Sequence, residues 1–330
     1  MTYGELTSGQ CEPISQDGGL EPLDAPPGAP VDASHDAPDG SGLPGIMADA
    51  SVDAGQGCGP PIFGPAASNA SGGQRVMDSQ GFLYITSYWD MAGSGTFGRV
   101  PPGGGTVEVL KTSMTDFGGT YAWAGEPYVL DDDTVLVSAN SGIVHYEPTS
   151  GTIAPYNAGT TNGFGFSVVV DASKRILATG MSPDFFEPSA AGRQVGTFAS
   201  SYATIFGGWL YAVEGSSVEQ RCLDGVTVAP VRSWTTTDAY GAAIGADGDL
   251  YVTQGNTSSP GVYRVDLSGG SVTLVATIPG YDGAGYLAAD TAGMLYVVPW
   301  PGHTVWRVNP ATGARFVYGC ETGGAACGSM

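Results

Sequence analysis

Basic residues are scarce in this chain of 330 amino acids. Eleven Lys and Arg residues stand against 32 Asp and Glu residues, which gives a formal net charge of −21. Only two of the basic residues are lysines, Lys111 and Lys174. A surface of this sign repels phosphate backbones and anionic membranes. The composition therefore excludes nucleic acid as an expected partner.

Helical periodicity and long apolar runs are also missing. No stretch repeats apolar residues at the spacing of a helix face. The longest apolar runs are strand-sized, so no transmembrane segment is predicted. The chain instead contains 53 Gly and 23 Pro residues, and only 13% of its residues are charged. This composition is typical of short strands separated by many turns, and an all-β fold is expected.

The first residues show no export signal. The start MTYGELTSGQC has neither a basic region nor an apolar stretch, so no signal peptide is predicted. Residues 1–57 contain ten acidic residues and no basic residue. Such a segment buries too little apolar area to offset its ordering entropy. A disordered tether is therefore predicted over residues 1–60 and a folded domain over residues 61–330. The Asp/Ala/Pro/Gly-rich tether resembles those of bacterial surface lipoproteins and secreted proteins, which implies a secreted, periplasmic or surface-tethered location.

One sequence motif typical of a β-strand occurs six times after residue 60. The copies are GFLYITS (81–87), DTVLVSA (133–139), KRILATG (174–180), GWLYAVE (208–214), GDLYVTQ (248–254) and GMLYVVP (293–299). A period of about 40–45 residues with roughly four strands per unit is typical of β-propeller blades. The six units predict a six-bladed β-propeller of four-stranded antiparallel blades. Closure of this ring requires Phe316–Tyr318 to lie beside the first blade.

The repeat also carries a family resemblance. The words GFSVVVDASKRILA, GAAIGADGDLYVT and GYLAADTAGMLYVV share the pattern Gly-apolar-x-x-x-Asp-x-x-Gly-x-Leu-Tyr-Val in whole or in part. This pattern resembles NHL-type repeats. It is equally similar to the gluconolactonase/SMP-30 and strictosidine-synthase-like propellers, which are six-bladed. The resemblance covers roughly residues 66–319 and concerns the architecture, because propellers host unrelated activities.

Two series of acidic residues accompany the repeat. The first precedes the second strand of five units: Asp78, Asp131, Asp171, Asp247 and Asp290. Asp249 follows Asp247 by two residues, but strand residues come next rather than the further oxygen ligands of a calcium loop. We therefore interpret Asp247 and Asp249 as turn residues whose side chains accept backbone N–H groups.

The second series precedes the inner strands of five units, in motifs that have Asp or Asn, then two residues, then Gly. Its members are Asn69, Asp116, Asn162, Asp238 and Asp282. Inner strands line the central channel of a propeller, so these residues are expected to ring one channel mouth. Oxygen ligands suit Ca²⁺ or another divalent cation. Because such turns also cap the backbone without any ligand, a metal or polar-ligand site and a purely structural role both stay open.

The gluconolactonase/SMP-30 resemblance implies particular metal ligands. That family holds a divalent ion at the channel mouth with Glu, Asn and Asp. Asn162 and Asp282 match the family's Asn-Gly and Asp-Gly words, and Asp238 matches by blade order. The family's Glu-Gly-Pro word is absent. Glu126-Pro127 matches that motif only in part. Glu126 or Asp116 is therefore the candidate fourth ligand.

Aromatic residues fall in the same loops as the second series. Those expected on the ligand face are Trp89, Trp123, Tyr240, Tyr281 and Trp300. Carboxylates beside exposed aromatic rings suit a carbohydrate-like ligand, and packing between blades is the structural alternative. His303 lies near the same mouth and is the candidate general base.

The five cysteines allow more than one pairing. A disulfide between Cys320 and Cys327, or from Cys58 to one of them, would brace the ring seam. Cys222 is expected to be a buried free thiol.

Two functions follow from these features. The first is a monomeric binding module without catalysis, which takes a carbohydrate-like small molecule or a protein partner on the loop face around the channel. The second is a divalent-metal-dependent hydrolase that acts on a lactone or sugar-derived substrate, in which the ion polarises a carbonyl and activates water. The absent Glu-Gly-Pro word favours the first.

Overall fold

A computed structural model of the chain describes residues 76–87, 96–111, 125–139, 142–156, 165–170, 176–180, 184–186, 193–194, 202–223, 230–280, 285–299 and 304–320. Within these ranges all regular structure is β and no helix occurs. The all-β prediction is confirmed. No helix capable of crossing a membrane is found among these residues.

The strands are short, and most have two to seven residues. They are β1 (Leu83–Ser87), β2 (Thr96–Val100), β3 (Gly105–Thr106), β4 (Glu108–Lys111), β5 (Pro127–Val129), β6 (Val135–Ala139), β7 (Gly142–Glu147), β8 (Thr152–Pro155), β9 (Gly165–Val170), β10 (Ile176–Gly180), β11 (Asp184–Phe186), β12 (Arg193–Gln194), β13 (Tyr202–Phe206), β14 (Trp209–Val213), β15 (Gly215–Arg221), β16 (Arg232–Ile244), β17 (Leu250–Gln254), β18 (Gly261–Val265), β19 (Val272–Thr277), β20 (Gly285–Ala289), β21 (Leu295–Pro299), β22 (Thr304–Val308) and β23 (Arg315–Cys320).

These strands form five sheets in which almost every strand pairs with its neighbour in sequence. The strand orders are β1-β2-β4, β5-β6-β7-β8, β12-β11-β10-β9, β13 to β19 in sequence, and β20-β21-β22-β23-β3. All described pairings are antiparallel except that of β23 with β3, which is parallel. Met77 adds a single bridge to Leu83 at the inner edge of the first sheet. The sheets are therefore meanders, joined one after another along the chain.

One long strand joins two meanders into the seven-stranded sheet. β16 has 13 residues. Its first half pairs with β15 and its second half pairs with β17. Asp238 lies between the halves with a φ of 50°, in the left-handed region that Asp and Asn enter more readily than most residues. The predicted inner strand that ends at Ile244 is thus continuous with the outer strand of the preceding unit.

Hydrophobic clusters fill the spaces between successive sheets. One joins Tyr84 and Phe97 of the first sheet to Val135 of the second. Others connect the second sheet with the third, and the seven-stranded sheet with the last. A further cluster places Tyr318 of the last sheet against Val100 of the first. The prediction that Phe316–Tyr318 lie beside the first unit is confirmed for Tyr318, whereas Phe316 is 46% exposed.

The turn interpretation is confirmed for Asp78, Asp247 and Asp290, whereas in the turn that contains Asp131 it is Asp132 whose Oδ1 accepts from Thr134 N. Oδ1 of Asp78 accepts from Phe82 N at 2.9 Å. Oδ1 of Asp247 accepts from Asp249 N at 3.2 Å, and Oδ1 of Asp290 accepts from Met294 N at 2.8 Å. These side chains satisfy backbone donors within the hairpin between the first two strands of a unit. Asp171 lies outside the described residues.

The same aspartates take part in a repeated arrangement that the sequence interpretation missed. The second carboxylate oxygen of each accepts a tyrosine hydroxyl: Tyr84 to Asp78 at 3.1 Å, Tyr251 to Asp247 at 2.6 Å and Tyr296 to Asp290 at 2.9 Å. Each tyrosine also pairs across strands with an arginine, namely Arg99, Arg264 and Arg307. Burial is the main cause that raises the pKa of all three tyrosines. The sequence signal for this arrangement is a Leu-Tyr motif in one strand followed by Arg-Val in the next strand.

Candidate functional site

Four of the predicted site residues lie within the described part of the chain. These are Glu126, Asp238, Tyr240 and Cys320. The others lie outside the described residues: Cys58, Asn69, Trp89, Asp116, Trp123, Asn162, Tyr281, Asp282, Trp300, His303 and Cys327. Among the described residues, no three His, Cys, Asp or Glu side chains are grouped so that they could hold a metal ion. The described site is therefore built around Asp238 and its neighbours.

Asp238 is held in place by three hydrogen bonds. Its main-chain oxygen accepts from Gly255 N at 3.0 Å. Its Oδ1 accepts from the Tyr240 hydroxyl at 2.7 Å, and its Oδ2 accepts from Nδ2 of Asn256. The carboxylate thus links the start of the inner half of β16 to the turn between β17 and β18. Both of its oxygens are engaged by side chains of the same sheet, which fixes their direction before any ligand arrives.

Tyr240 supplies a neutral donor and an aromatic edge at this place. Burial, helped by the hydrogen bond to Asp238, raises the pKa of Tyr240 to about 12. The hydroxyl therefore keeps its proton at neutral pH. The Tyr202 ring lies edge-on to the Tyr240 ring, with 6.4 Å between the centroids. Tyr202 also packs against the cluster that contains Tyr286 and Val76. It therefore connects the start of β13 with the first and last sheets.

The glycine that ends the word DAYG has a packing role. A Cβ at Gly241 would lie 2.6 Å from Leu287 N and 2.8 Å from Gly285 O. The inner half of β16 therefore approaches the backbone of β20 too closely for any side chain. Thr253 reinforces this approach, because its hydroxyl donates to Gly285 O at 3.0 Å. Gly241 thus serves interstrand packing, whatever Asp238 binds.

Glu126 lies directly before β5 and is 1% exposed. Beside it, Gly125 O accepts from the Thr86 hydroxyl at 3.2 Å. Thr86 N in turn donates to the Tyr286 hydroxyl at 2.6 Å. This chain of contacts ties the second sheet to the first and the last. A carboxylate so deeply enclosed is reached by a ligand only if the surrounding loops leave an opening.

The cysteines differ from the expectation in one respect. Cys222 is buried, as predicted, but it is disulfide-bonded. The prediction of a free thiol at this position is wrong. Cys320 is also disulfide-bonded, and both residues are 7% exposed. Pairing depends on spatial proximity, which the local sequence QRCLDG does not encode.

Comparisons with known proteins find similarity to solved structures but not to known sequences. No family model matches the sequence, and no curated protein matches it. Among solved structures, a streptogramin B lyase is 12% identical over 79% of this chain and 86% of that chain, with a TM-score of 0.51. A chain of a nidogen/laminin complex is 13% identical over 73% of this chain and 97% of that chain, also with a TM-score of 0.51. A gluconolactonase from Xanthomonas campestris is 15% identical over 81% of this chain and 89% of that chain, with a TM-score of 0.48.

These likenesses concern the architecture. The first two neighbours are β-propellers, and the meandering sheets packed in chain order agree with that fold. Propellers with this architecture include enzymes and binding proteins, so the fold by itself selects neither function.

Proposed function

We propose that this chain is a secreted or surface-tethered six-bladed β-propeller that binds a ligand through the loop face around its central channel. The observation that carries the proposal is the fixed carboxylate of Asp238, which Tyr240 and Asn256 hold at the start of an inner strand. Tyr202 places a second aromatic ring beside it. Residues 1–60 form the acidic tether in this proposal.

The blade count is supported by the division of β16. Its first half is the outer strand of one unit and its second half is the inner strand of the next. The seven-stranded sheet therefore supplies two blades, and the other four sheets supply one each. The cluster shared by Val100 and Tyr318 supports closure of the ring between the last sheet and the first.

The ligand best suited to this face is a neutral polyhydroxy molecule of the carbohydrate type. The net charge of −21 disfavours anionic ligands. Aromatic rings next to an oriented carboxylate and an amide provide the apolar and hydrogen-bonding contacts that a sugar ring needs. A protein partner on the same face is the other outcome that the experiment distinguishes.

Metal-dependent hydrolysis of a lactone is less well supported by the same contacts. In that reaction Asn162, Asp238 and Asp282 would hold a divalent ion such as Ca²⁺, with Asp116 or Glu126 as the fourth ligand and His303 as the base. Both oxygens of Asp238 already accept side-chain hydrogen bonds. Ligation of an ion would have to compete with these donors for lone pairs of the same oxygens.

Export is supported by the state of the cysteines. Cys222 and Cys320 are disulfide-bonded, and disulfides persist mainly in oxidising compartments. The acidic composition of residues 1–57 agrees with a soluble tether.

The test compares two aspartates at opposite ends of the same inner strand. Full-length protein, Asp238→Asn and Asp247→Asn are screened against immobilised neutral oligosaccharides. Both aspartates accept a tyrosine hydroxyl, so the two variants disturb similar contacts. Asparagine also tolerates the positive φ of residue 238. We expect Asp238→Asn to lose at least tenfold in affinity, whereas Asp247→Asn binds like the parent.

Two further measurements separate the alternatives. Metal analysis of protein purified without chelator, together with a lactone-hydrolysis screen, tests the hydrolase. A bound divalent ion and turnover that Asp238→Asn abolishes would replace the binding proposal with the enzymatic one. Equal losses of oligosaccharide affinity in Asp238→Asn and Asp247→Asn would show that the channel mouth is not the binding face. Failure to bind any oligosaccharide, with capture of a defined protein that Asp238→Asn abolishes, would identify a protein-binding face.

A further inference from the structure

Two residues in the left-handed region of the backbone are bonded to each other at the start of the inner half of β16. Among the described residues, the non-glycine residues with a positive φ are Asp133, Asp238 and Asn256. Asp133 accepts from Ser79 N, between turns of the first two sheets. Asp238 and Asn256, with φ of 50° and 39°, are joined because Nδ2 of Asn256 donates to Oδ2 of Asp238. Backbone strain of this kind is concentrated at functional sites.

The turn that carries Asn256 is fastened to β16 through three successive residues. Gln254 is 4% exposed, and its Oε1 accepts from Thr237 N at 3.0 Å. Gly255 N donates to Asp238 O at 3.0 Å, and the Asn256 amide donates to the Asp238 carboxylate. The amide and the carboxylate are therefore fixed relative to each other. A ligand that contacts both does not bear the entropic cost of ordering them.

Both side chains retain hydrogen-bonding capacity for a ligand. A carboxylate only accepts, so the Asn256 amide presents its nitrogen to Asp238 and keeps its Oδ1 and its second N–H for other partners. No described residue bonds to either of these groups, and Asn256 is exposed. Each oxygen of Asp238 accepts one hydrogen bond and retains a second lone pair. The pair thus offers a carboxylate acceptor next to an amide that can both donate and accept.

The scaffold aspartates differ from this pair in one respect. Asp247 and Asp290 also accept a tyrosine hydroxyl, but their other oxygen accepts a backbone N–H of their own turn. The second oxygen of Asp238 instead accepts a side-chain amide from a different turn. A backbone donor is enough where a turn only has to be capped. The Asn256 amide adds polar groups that capping does not require.

We propose that Asp238 and Asn256 recognise two adjacent hydroxyl groups of one sugar ring, one hydroxyl on each side chain. The bonded oxygen and nitrogen of the pair lie within hydrogen-bonding distance of each other, and gauche hydroxyls on neighbouring ring carbons have a similar separation. One hydroxyl donates to Asp238 and its neighbour bonds to the Asn256 amide. This inference rests on the binding function proposed above, and it narrows the ligand class to sugars with a free vicinal diol. Asn256 is then a specificity-determining residue.

Monodeoxy sugars test this assignment by double-mutant cycles between protein and ligand. The probes are the methyl glycosides of glucose, galactose and mannose, each with its monodeoxy derivatives, and calorimetric titration measures the affinities. For a glycoside that binds the parent protein, loss of either of two adjacent hydroxyls should weaken binding at least tenfold. In Asn256→Gly, which tolerates the positive φ, loss of one of them should cost less than twofold and loss of the other still tenfold. Asp238→Asn should show the reverse pattern.

Two further variants support the comparison. Asn309→Gly is the matched control, because Oδ1 of Asn309 accepts from Ala311 N at 3.0 Å in the turn between β22 and β23. It should bind every derivative as the parent does. Asn256→Asp preserves the size of the side chain but places a second carboxylate against Asp238. It should weaken binding of the parent glycoside at least tenfold, and it keeps the test decisive if glycine unfolds the turn.

The results that would overturn the inference are distinct from those that would overturn the binding function. If Asn256→Gly weakens a glycoside and all its monodeoxy derivatives by the same factor, Asn256 only positions Asp238. Coupling of the two residues to hydroxyls that are not adjacent would also overturn the inference. So would a parent protein that binds immobilised oligosaccharides but none of the glycosides. In these three cases the binding function stands, whereas a parent protein that binds no sugar at all overturns both.

Discussion

The hydroxyl of Tyr251 donates to Oδ2 of Asp247 at 2.6 Å, and the other oxygen of the same carboxylate caps the turn that leads into the tyrosine's strand. One side chain thus fixes both a turn and the strand that follows it. The same relationship holds for Asp78 with Tyr84 and for Asp290 with Tyr296. Its repetition identifies it as part of the scaffold rather than part of a binding site.

Removal of the Tyr251 hydroxyl is expected to cost stability and not binding. Tyr251 is 2% exposed, and Tyr251→Phe removes its hydrogen bond to Asp247, which lowers the free energy of unfolding by about 1 kcal/mol. Urea denaturation measures this change. Tyr211→Phe is the matched control, because Tyr211 occupies the same place in β14 after a Gly207–Gly208 turn that carries no acid. Equal losses in the two variants would contradict the role of Asp247.

Gly241→Ala is expected to be strongly destabilising. The added methyl group would lie within 2.8 Å of backbone atoms of Gly285 and Leu287, and backbone cannot yield as a side chain can. Overpacking of this kind costs about 1–3 kcal/mol, which thermal unfolding detects. Gly151→Ala provides the comparison, because its φ of 67° is unfavourable but no atom lies within 4 Å of the new methyl group. A smaller loss of stability in Gly241→Ala than in Gly151→Ala would show that β16 and β20 are not so closely packed.

The acid dependence of stability is expected to involve Asp266. Hydrogen bonds from Gly269 N, from the Ser268 hydroxyl and from Ser268 N lower the pKa of this carboxyl below its usual value. A lowered folded-state pKa gives stability that is present above the unfolded value of about 3.9 and is lost as pH falls through the folded value. Asp266→Asn keeps the shape and removes the charge. Urea unfolding should give a larger free energy of unfolding for the parent than for the variant at pH 6. This difference should disappear as the pH falls below about 4. A difference that stays constant with pH would contradict this assignment.

Some of this architecture could be predicted from sequence because it depends on local chemistry. The Gly-x-Leu-Tyr motifs marked the second strand of four units, and an Asp shortly before a Gly marked the turns at Asp247 and Asp290. The expected place of Tyr318 beside the first unit followed from the need to close the sheets, and the structure confirms it.

Other features depend on contacts between distant residues. The stretch TTTDAYG has the composition of a loop, yet neighbouring strands on both sides extend it into the middle of β16. The disulfide state of Cys222 likewise depends on tertiary proximity. The aspartate–tyrosine–arginine arrangement is partly predictable. Its residues recur at regular positions in the sequence, but their contacts depend on the pairing of two strands.

The continuity of the seven-stranded sheet from β13 to β19 has a mechanical consequence. β16 belongs to two meanders, and its backbone passes from one to the other at Asp238, a residue in the left-handed region. A change in the backbone torsion angles of Asp238 would tilt one meander against the other. The same change would move Tyr202 relative to Tyr240. The residue proposed to contact a ligand is therefore also the pivot of its own support. A ligand that pulls on its side chain would strain the junction of two blades.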